Sequence, residues 1–177
     1  MNLAPAHTGP MRALQQWWPA AALIICAAVL GAAHAFETFG HMAPCELCLK
    51  EREVWWTAGA VALVGLALGF SPVAARGRRV AEIALAAAFL YGAVLAGYHA
   101  GVEWKFWPGP ASCTGVVTQV SAAAMQALLR GAALGLPACD RPAWVFLGIS
   151  MAGWNALISL TMAALSGWAA FSRRPAA

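Results

Sequence analysis

The sequence predicts an all-α membrane protein: a four-transmembrane-helix bundle with two external cysteine-bearing loops and a short interfacial helix in the second. Three observations predict it. Of 177 residues, 62% are hydrophobic and only 10% charged, far below the quarter usual for soluble domains. Four apolar stretches have about the 20 residues needed to cross a hydrocarbon core. The arginines gather on one side of those stretches. Nothing reads as a linker, so residues 1–177 form a single domain.

The spans fall at 17–36, 54–70, 80–98 and 144–171. Arg76, Arg78 and Arg79 lie in the 71–79 connection, Arg12 before the first span, and Arg173 and Arg174 after the last, with Glu82 the acid on that side. The connections at 37–53 and 99–143 mix both signs, with Glu37, Glu46, Glu51, Glu53, Glu103 and Asp140 beside Lys50, Arg52, Lys105, Arg130 and Arg141. Lys and Arg are retained on the cytoplasmic side, so both termini and the 71–79 loop are expected there. The formal charge of +4 is thereby explained by topology, and no nucleic-acid partner is expected. Tryptophans 17, 18, 55, 56, 104, 107, 144 and 168 fall near span ends, where amphipathic rings sit at the headgroups.

Ala33-His34-Ala35 has the small-x-small form of a signal-peptidase site. The apolar run before it exceeds the usual signal core, and a retained helix is expected. Residues 115–136 are apolar enough to pass for a fifth span. Gln119, Gln126 and Arg130 fall within about 40° on a helical projection, which fits a helix lying in the interface. A fifth span would also separate Cys113 from Cys139 and export Arg173 and Arg174. Gly65 with Gly69, and Gly148 with Ala152, are expected to let helices of one chain pack closely.

Of five cysteines, Cys26 lies inside the first span and is expected to be inert and structural. Cys45, Cys48, Cys113 and Cys139 fall in the external loops, and external pairs suit an oxidising compartment. Cys45 and Cys48 form a C-x-x-C, a spacing that often lowers one thiol pKa and makes a poor entropic staple. A redox couple is the sharper reading, and purely structural bridges in a non-enzymatic scaffold are the alternative. Zinc needs two further nearby ligands and covalent haem needs His after the second cysteine, where Leu49 stands. Arg52 follows Cys48 by one helical turn, where its charge would favour a thiolate. Asn155 in the fourth span reads as interhelical glue.

The segment Pro44-Cys45-Glu46-Leu47-Cys48-Leu49-Lys50-Glu51-Arg52 resembles the P-C-x-x-C-x-x-E-R signature of the disulfide bond formation protein B (DsbB) family. Tyr98-His99, the Cys113 and Cys139 pair, and Trp144-x-Phe146-Leu147-Gly148 with Met151 and Trp154 are similar to that family too. The C-x-x-C precedes the loop pair, the reverse of the order in vitamin K epoxide reductases. The resemblance implies a protein thiol:quinone oxidoreductase of the bacterial inner membrane, monomeric, with its redox loops in the periplasm. Its disulfides would be Cys45–Cys48 and Cys113–Cys139. A periplasmic DsbA-like thioredoxin-fold partner, reduced, would attack Cys113. Cys139 would then attack Cys45, and Cys48 would pass electrons to a ubiquinone or menaquinone, with Arg52, His99 and Met151 beside it. A specialised paralogue serving one dedicated partner is the runner-up within the class.

Overall fold

The computed structural model describes residues 10–70, 74–110, 113, 126, 129 and 138–172. Within them the chain is mostly helical. Helix α1 spans Pro10–Gln16, α2 Trp18–Thr38, α3 Glu46–Leu68 and α4 Ala74–Glu103; a two-stranded hairpin, β1 Val145–Phe146 and β2 Ile149–Ser150, then leads into α5, Met151–Phe171. Pro19 sits in the first turn of α2, where its fixed φ suits a helix start. Ser150 caps α5 by accepting the Gly153 N–H at 3.1 Å, satisfying a donor the helix leaves open.

Residues Trp18–Thr38, Arg76–Glu103 and Met151–Phe171 form three helices long and apolar enough to cross a membrane. Helix α3 differs in that Lys50, Glu51, Arg52 and Glu53 occupy its first two turns. Its uncharged part is confined to residues 54–68.

The helices run antiparallel in succession, and contacts at each end fix this. At one end Arg52 of α3 reaches the Ala33 carbonyl of α2 at 3.2 Å, and His99 of α4 meets Glu51 of α3 at 2.7 Å. Asn155 of α5 donates to Glu51 at 2.6 Å. At the other end Trp18 of α2 donates to Ser166 of α5 at 3.0 Å, and the Arg79 guanidinium lies 5.7 Å from the Phe171 ring centre. Arg76, Arg78 and Arg79 thus occupy the end opposite Cys45, Cys48, Cys113 and Cys139. Between the ends, Ala22, Cys26, Trp55, Ala58, Leu85, Phe89 and Met162 share one buried core. A Cβ added at Gly65 would stand 2.7 Å from the Ala81 Cβ. The glycine therefore serves close α3–α4 packing within one chain.

Several limits differ from the sequence reading. Helix α3 begins at Glu46, eight residues before the expected span, so Cys48 and Arg52 lie on the helix; α4 runs beyond 80–98 at both ends. Residues 144–150 are not helical. Phe146 pairs with Ile149 across Leu147 and Gly148, whose φ values are 51° and 77°, the two positive values a type I′ turn requires. Strands of two residues are too short to show alternation in sequence. Gly148 therefore turns a hairpin and forms no helical small-residue pair with Ala152. Trp18 and Trp55 are each 2% exposed and bond inside the bundle, so they are core residues and not headgroup anchors. The helix expected over 115–136 lies outside the described residues, apart from Gln126 and Leu129.

Candidate active site

Cys45 ends the short α2–α3 connection in extended backbone, φ −78° and ψ 172°, as the N-cap of α3. Its sulfur takes the capping role usually given to a hydroxyl or carboxylate, accepting the Cys48 N–H at 3.2 Å. The two sulfurs of the C-x-x-C lie 2.7 Å apart. Hydrogen bonding from the Cys48 thiol, aided by the Cys48 N–H, lowers the Cys45 pKa against burial and the nearby Glu51 charge. The same bond raises the pKa of Cys48, the donor, and burial adds to it. The helix N-terminus favours negative charge at the same sulfur. Cys45 is thus the more acidic thiol of the pair.

Cys113 and Cys139 are joined by a disulfide, with Cα atoms 5.1 Å apart. Both are buried, and with Cys45 and Leu47 they make a second, smaller core. The Cys139 N–H donates to the Cys113 carbonyl at 3.2 Å. Lys105, just beyond α4, bonds both the carbonyl and the carboxylate of Asp140 at 2.5 Å, tethering the segment that carries Cys139. That ammonium holds the Asp140 carboxyl below its ordinary pKa.

The two pairs meet at one point. The ligating atoms of Cys45, His99 and Cys139, all buried, lie within 4.8 Å of one another. Cysteines 94 positions apart in the chain are therefore close to sulfur–sulfur exchange distance.

His99 links this point to the bundle interior. Its Nε2 is 3.6 Å from the Cys45 sulfur and its Nδ1 is 2.7 Å from Glu51 Oε1. The other Glu51 oxygen accepts from Asn155 at 2.6 Å. Asn155 Oδ1 accepts the Trp55 indole N–H at 2.8 Å and the Ser159 hydroxyl at 3.4 Å. Asn155 thus ties α5 to α3, the glue role expected of it, by way of a catalytic-end acid. Glu103, 9% exposed, bonds the Ser150 side chain, while its Oε2 is buried with no hydrogen-bond partner.

Arg52 donates from Nη1 to Glu37 at 2.5 Å and from Nη2 to the Ala33 carbonyl. Its described partners are on α2, so it clasps two helices beside the C-x-x-C. Met151 stands half-buried at the first turn of α5, its N–H donating to the Trp144 carbonyl at 3.2 Å. The structure thus gathers Cys45, Cys48, Cys113, Cys139 and His99; Arg52 and Met151 sit at the same end with other described partners. Sequence reasoning gave neither Glu51 nor Glu37 a role in the site, reading Glu51 as a charge flanking Arg52 and Glu37 as one of the charges of the first external connection. Glu51 carried a usable signal: an acid three residues after Cys48 shares a helical face with the redox motif.

Residues 15–169 match the family model "Disulfide bond formation protein DsbB". Disulfide bond formation protein B 2 of Pseudomonas entomophila (strain L48) is 37% identical over 146 residues, covering 81% of this chain and 83% of that protein. Disulfide bond formation protein B of Methylococcus capsulatus (strain Bath) is 31% identical over 158 residues, covering 81% and 86%. Disulfide bond formation protein B 2 of Pseudomonas putida (strain KT2440) is 33% identical over 148 residues, covering 81% and 83%. With the family model matched over most of the chain, and with relatives sharing this identity across four-fifths of it, the protein belongs to the DsbB family, membrane proteins of disulfide bond formation.

Proposed function

We propose that this protein is a protein thiol:quinone oxidoreductase of the bacterial inner membrane. It reoxidises a periplasmic DsbA-like thioredoxin-fold protein and delivers the electrons to a quinone. The observation that carries this reading is the approach of Cys45 to Cys139 within 4.8 Å, the proximity that exchange between the two cysteine pairs requires.

The partner's thiolate attacks Cys113, Cys139 leaves with the electron pair of the broken bond, and the partner's second thiolate closes the partner's own disulfide by releasing Cys113. Exchange proceeds by such thiolate attack through mixed disulfides. Cys139 then attacks Cys45 of an oxidised Cys45–Cys48 pair and releases Cys48 as the thiolate, after which Cys113 attacks Cys139, restoring the outer disulfide and releasing Cys45. The residues present fit a quinone beside Cys48. Unlike Cys45, Cys48 is only half-buried, and the Arg52 guanidinium has N–H donors beyond the two that Glu37 and Ala33 engage. His99 and Met151 border the same end of the bundle. The quinone, ubiquinone or menaquinone, supplies the two-electron sink; the chain supplies position, charge and shelter from water.

In this reading α3 crosses the membrane as a fourth span, with both termini and the 71–79 loop cytoplasmic and the monomer as the working unit. A reporter active only in the periplasm should be silent when fused after Arg79 and active when fused after Gly109. The reverse pattern overturns the topology. For the activity, purified protein should oxidise a reduced DsbA-like protein in proportion to added quinone. Bridges that resist the partner and ignore quinone would make the protein a scaffold.

A further inference from the structure

We infer that His99, held by Glu51, carries the proton of Cys45. This rests on the thiol relay proposed above and adds a group that moves a proton within it. The inference comes from four distances that form one chain. His99 Nδ1 lies 2.7 Å from Glu51 Oε1, and a proton on Nδ1, donated to that carboxylate, leaves the Nε2 lone pair facing the Cys45 sulfur. That nitrogen lies 3.6 Å from the Cys45 sulfur. Glu51 is itself held by Asn155 at 2.6 Å, and Asn155 by the buried Trp55 at 2.8 Å. A sulfur, an imidazole and a carboxylate in line are the arrangement by which a base activates a thiol and a third group orients the base.

The imidazole is 3% exposed, so its proton traffic runs through the groups that face it. These are Cys45 and Cys48 from the start of α3, Glu51 from the second turn of α3, Glu103 from its own helix, and Cys139, which does not titrate while disulfide-bonded. Glu51 makes the contact that can balance an imidazolium. When the Cys45–Cys48 bond closes, the Cys45 proton leaves its sulfur for His99 Nε2. The sulfur keeps the electron pair and uses it to form the new bond to Cys48. The pair loses two electrons to the quinone and two protons, one of which His99 takes. Glu51 and Asn155 are positioning residues, since neither touches sulfur.

The contrast with a purely structural histidine is testable without quinone. In the fully reduced protein in detergent, alkylation of each cysteine is followed against pH by mass spectrometry, with Cys26, buried in the core, as the marker of an intact fold. His99→Gln keeps a donor for Glu51 and cannot carry a proton at neutral pH; His99→Ala removes both properties. In both variants Cys45 should alkylate about tenfold more slowly at pH 7, its midpoint moving up by about one unit, while Cys26 stays protected. A Cys45 profile in His99→Gln that matches wild type, with Cys26 protected, overturns the inference. A wild-type protein that alkylates as expected yet fails to pass electrons to quinone would instead overturn the activity proposed above.

Discussion

At the cysteine end of the bundle, Cys45, His99, Glu51, Asn155 and Trp55 form one unbroken run of polar contacts between three helices. At the arginine end, α2 meets α5 through one indole-to-hydroxyl bond and α4 meets α5 through a guanidinium over a ring; Glu82 is the buried acid there. These two contacts at the arginine end each join one pair of helices, whereas those at the cysteine end run on through three. Burying an acid and an imidazole costs several kcal/mol unless each is bonded, and a half-satisfied network is worse than none. A bundle held only by small-residue packing would have no use for it. The difference teaches that the two ends answer to different demands, so variants at one should lose chemistry and variants at the other stability.

The largest effect should come from the sulfurs. Cys45→Ser should bring quinone-dependent oxidation of the partner to background while the bundle keeps its melting temperature. Cys139→Ser should block the relay one step earlier and accumulate a mixed disulfide through Cys113, read on a non-reducing gel. An adduct of equal yield from Cys113→Ser would reverse the roles of that pair.

Next comes the core between the ends. Phe89 is fully buried and its ring centre lies 5.3 Å from that of Trp55. Phe89→Ala should cost about 3 kcal/mol through lost packing and a cavity, measured as unfolding in mixed micelles. Because Trp55 also holds Asn155, this variant probes how far the ends are separable. Oxidation should continue at a near wild-type rate below the lowered melting point. A loss of rate matching Cys45→Ser, with the fold intact, would break the comparison by showing that the core sets the site.

Arg52 lies on the boundary between the two kinds of role. Its charge is expected to assist electron delivery by about 1.5–3 kcal/mol, so Arg52→Ala should slow quinone-dependent reoxidation by about ten- to a hundredfold. Thiol exchange with the partner should continue. Arg52→Lys keeps charge without the planar fork and should fall between. The Glu37 contact supplies the control. Glu37→Gln removes the ion pair and leaves the guanidinium, so it should keep most of the reoxidation rate. Equal losses in Arg52→Ala and Glu37→Gln would reduce Arg52 to a clasp between α2 and α3.

Much of this was legible in the sequence, unevenly. Helices α2, α4 and α5 announced themselves because apolar runs and retained arginines are summed, local signals. The four loop cysteines stood out because residue type and spacing constrain their chemistry. The starting point of α3 was hidden, since Lys50 to Glu53 look like loop charges until Glu37, Glu46 and His99 are known to meet them. Trp18 and Trp55 looked like headgroup anchors, and only the helix faces turned inward make them core. The Trp144–Ser150 hairpin was invisible to periodicity because each strand has two residues. The Glu51–His99 bond joins positions 48 apart, a separation at which neither residue alone hints at the other.

The smallest expected effect lies at the outer edge of the cysteine end, where Lys105 holds Asp140 beside Cys139. Lys105 is exposed and Asp140 partly so, so the pair is screened by solvent and salt and contributes little to stability. Its consequence should appear in the presentation of the Cys113–Cys139 bond to the partner. The Asp140 pKa is lowered, first by the hydrogen bond from Lys105. A carboxylate depressed in this way contributes above its unfolded value, near pH 4, and that contribution is lost as pH falls through the lower folded value. Between pH 5 and 8 the tether is therefore intact, and the rate of partner exchange should show no inflection from this group. Asp140→Asn should change that rate at pH 7 by only about twofold, and raising the salt concentration should erase the difference. If Asp140→Asn instead cost as much as Cys139→Ser, the ion pair would belong to the catalytic network, and the sharp inner boundary drawn around Cys45, His99 and Glu51 would have to move out to the surface.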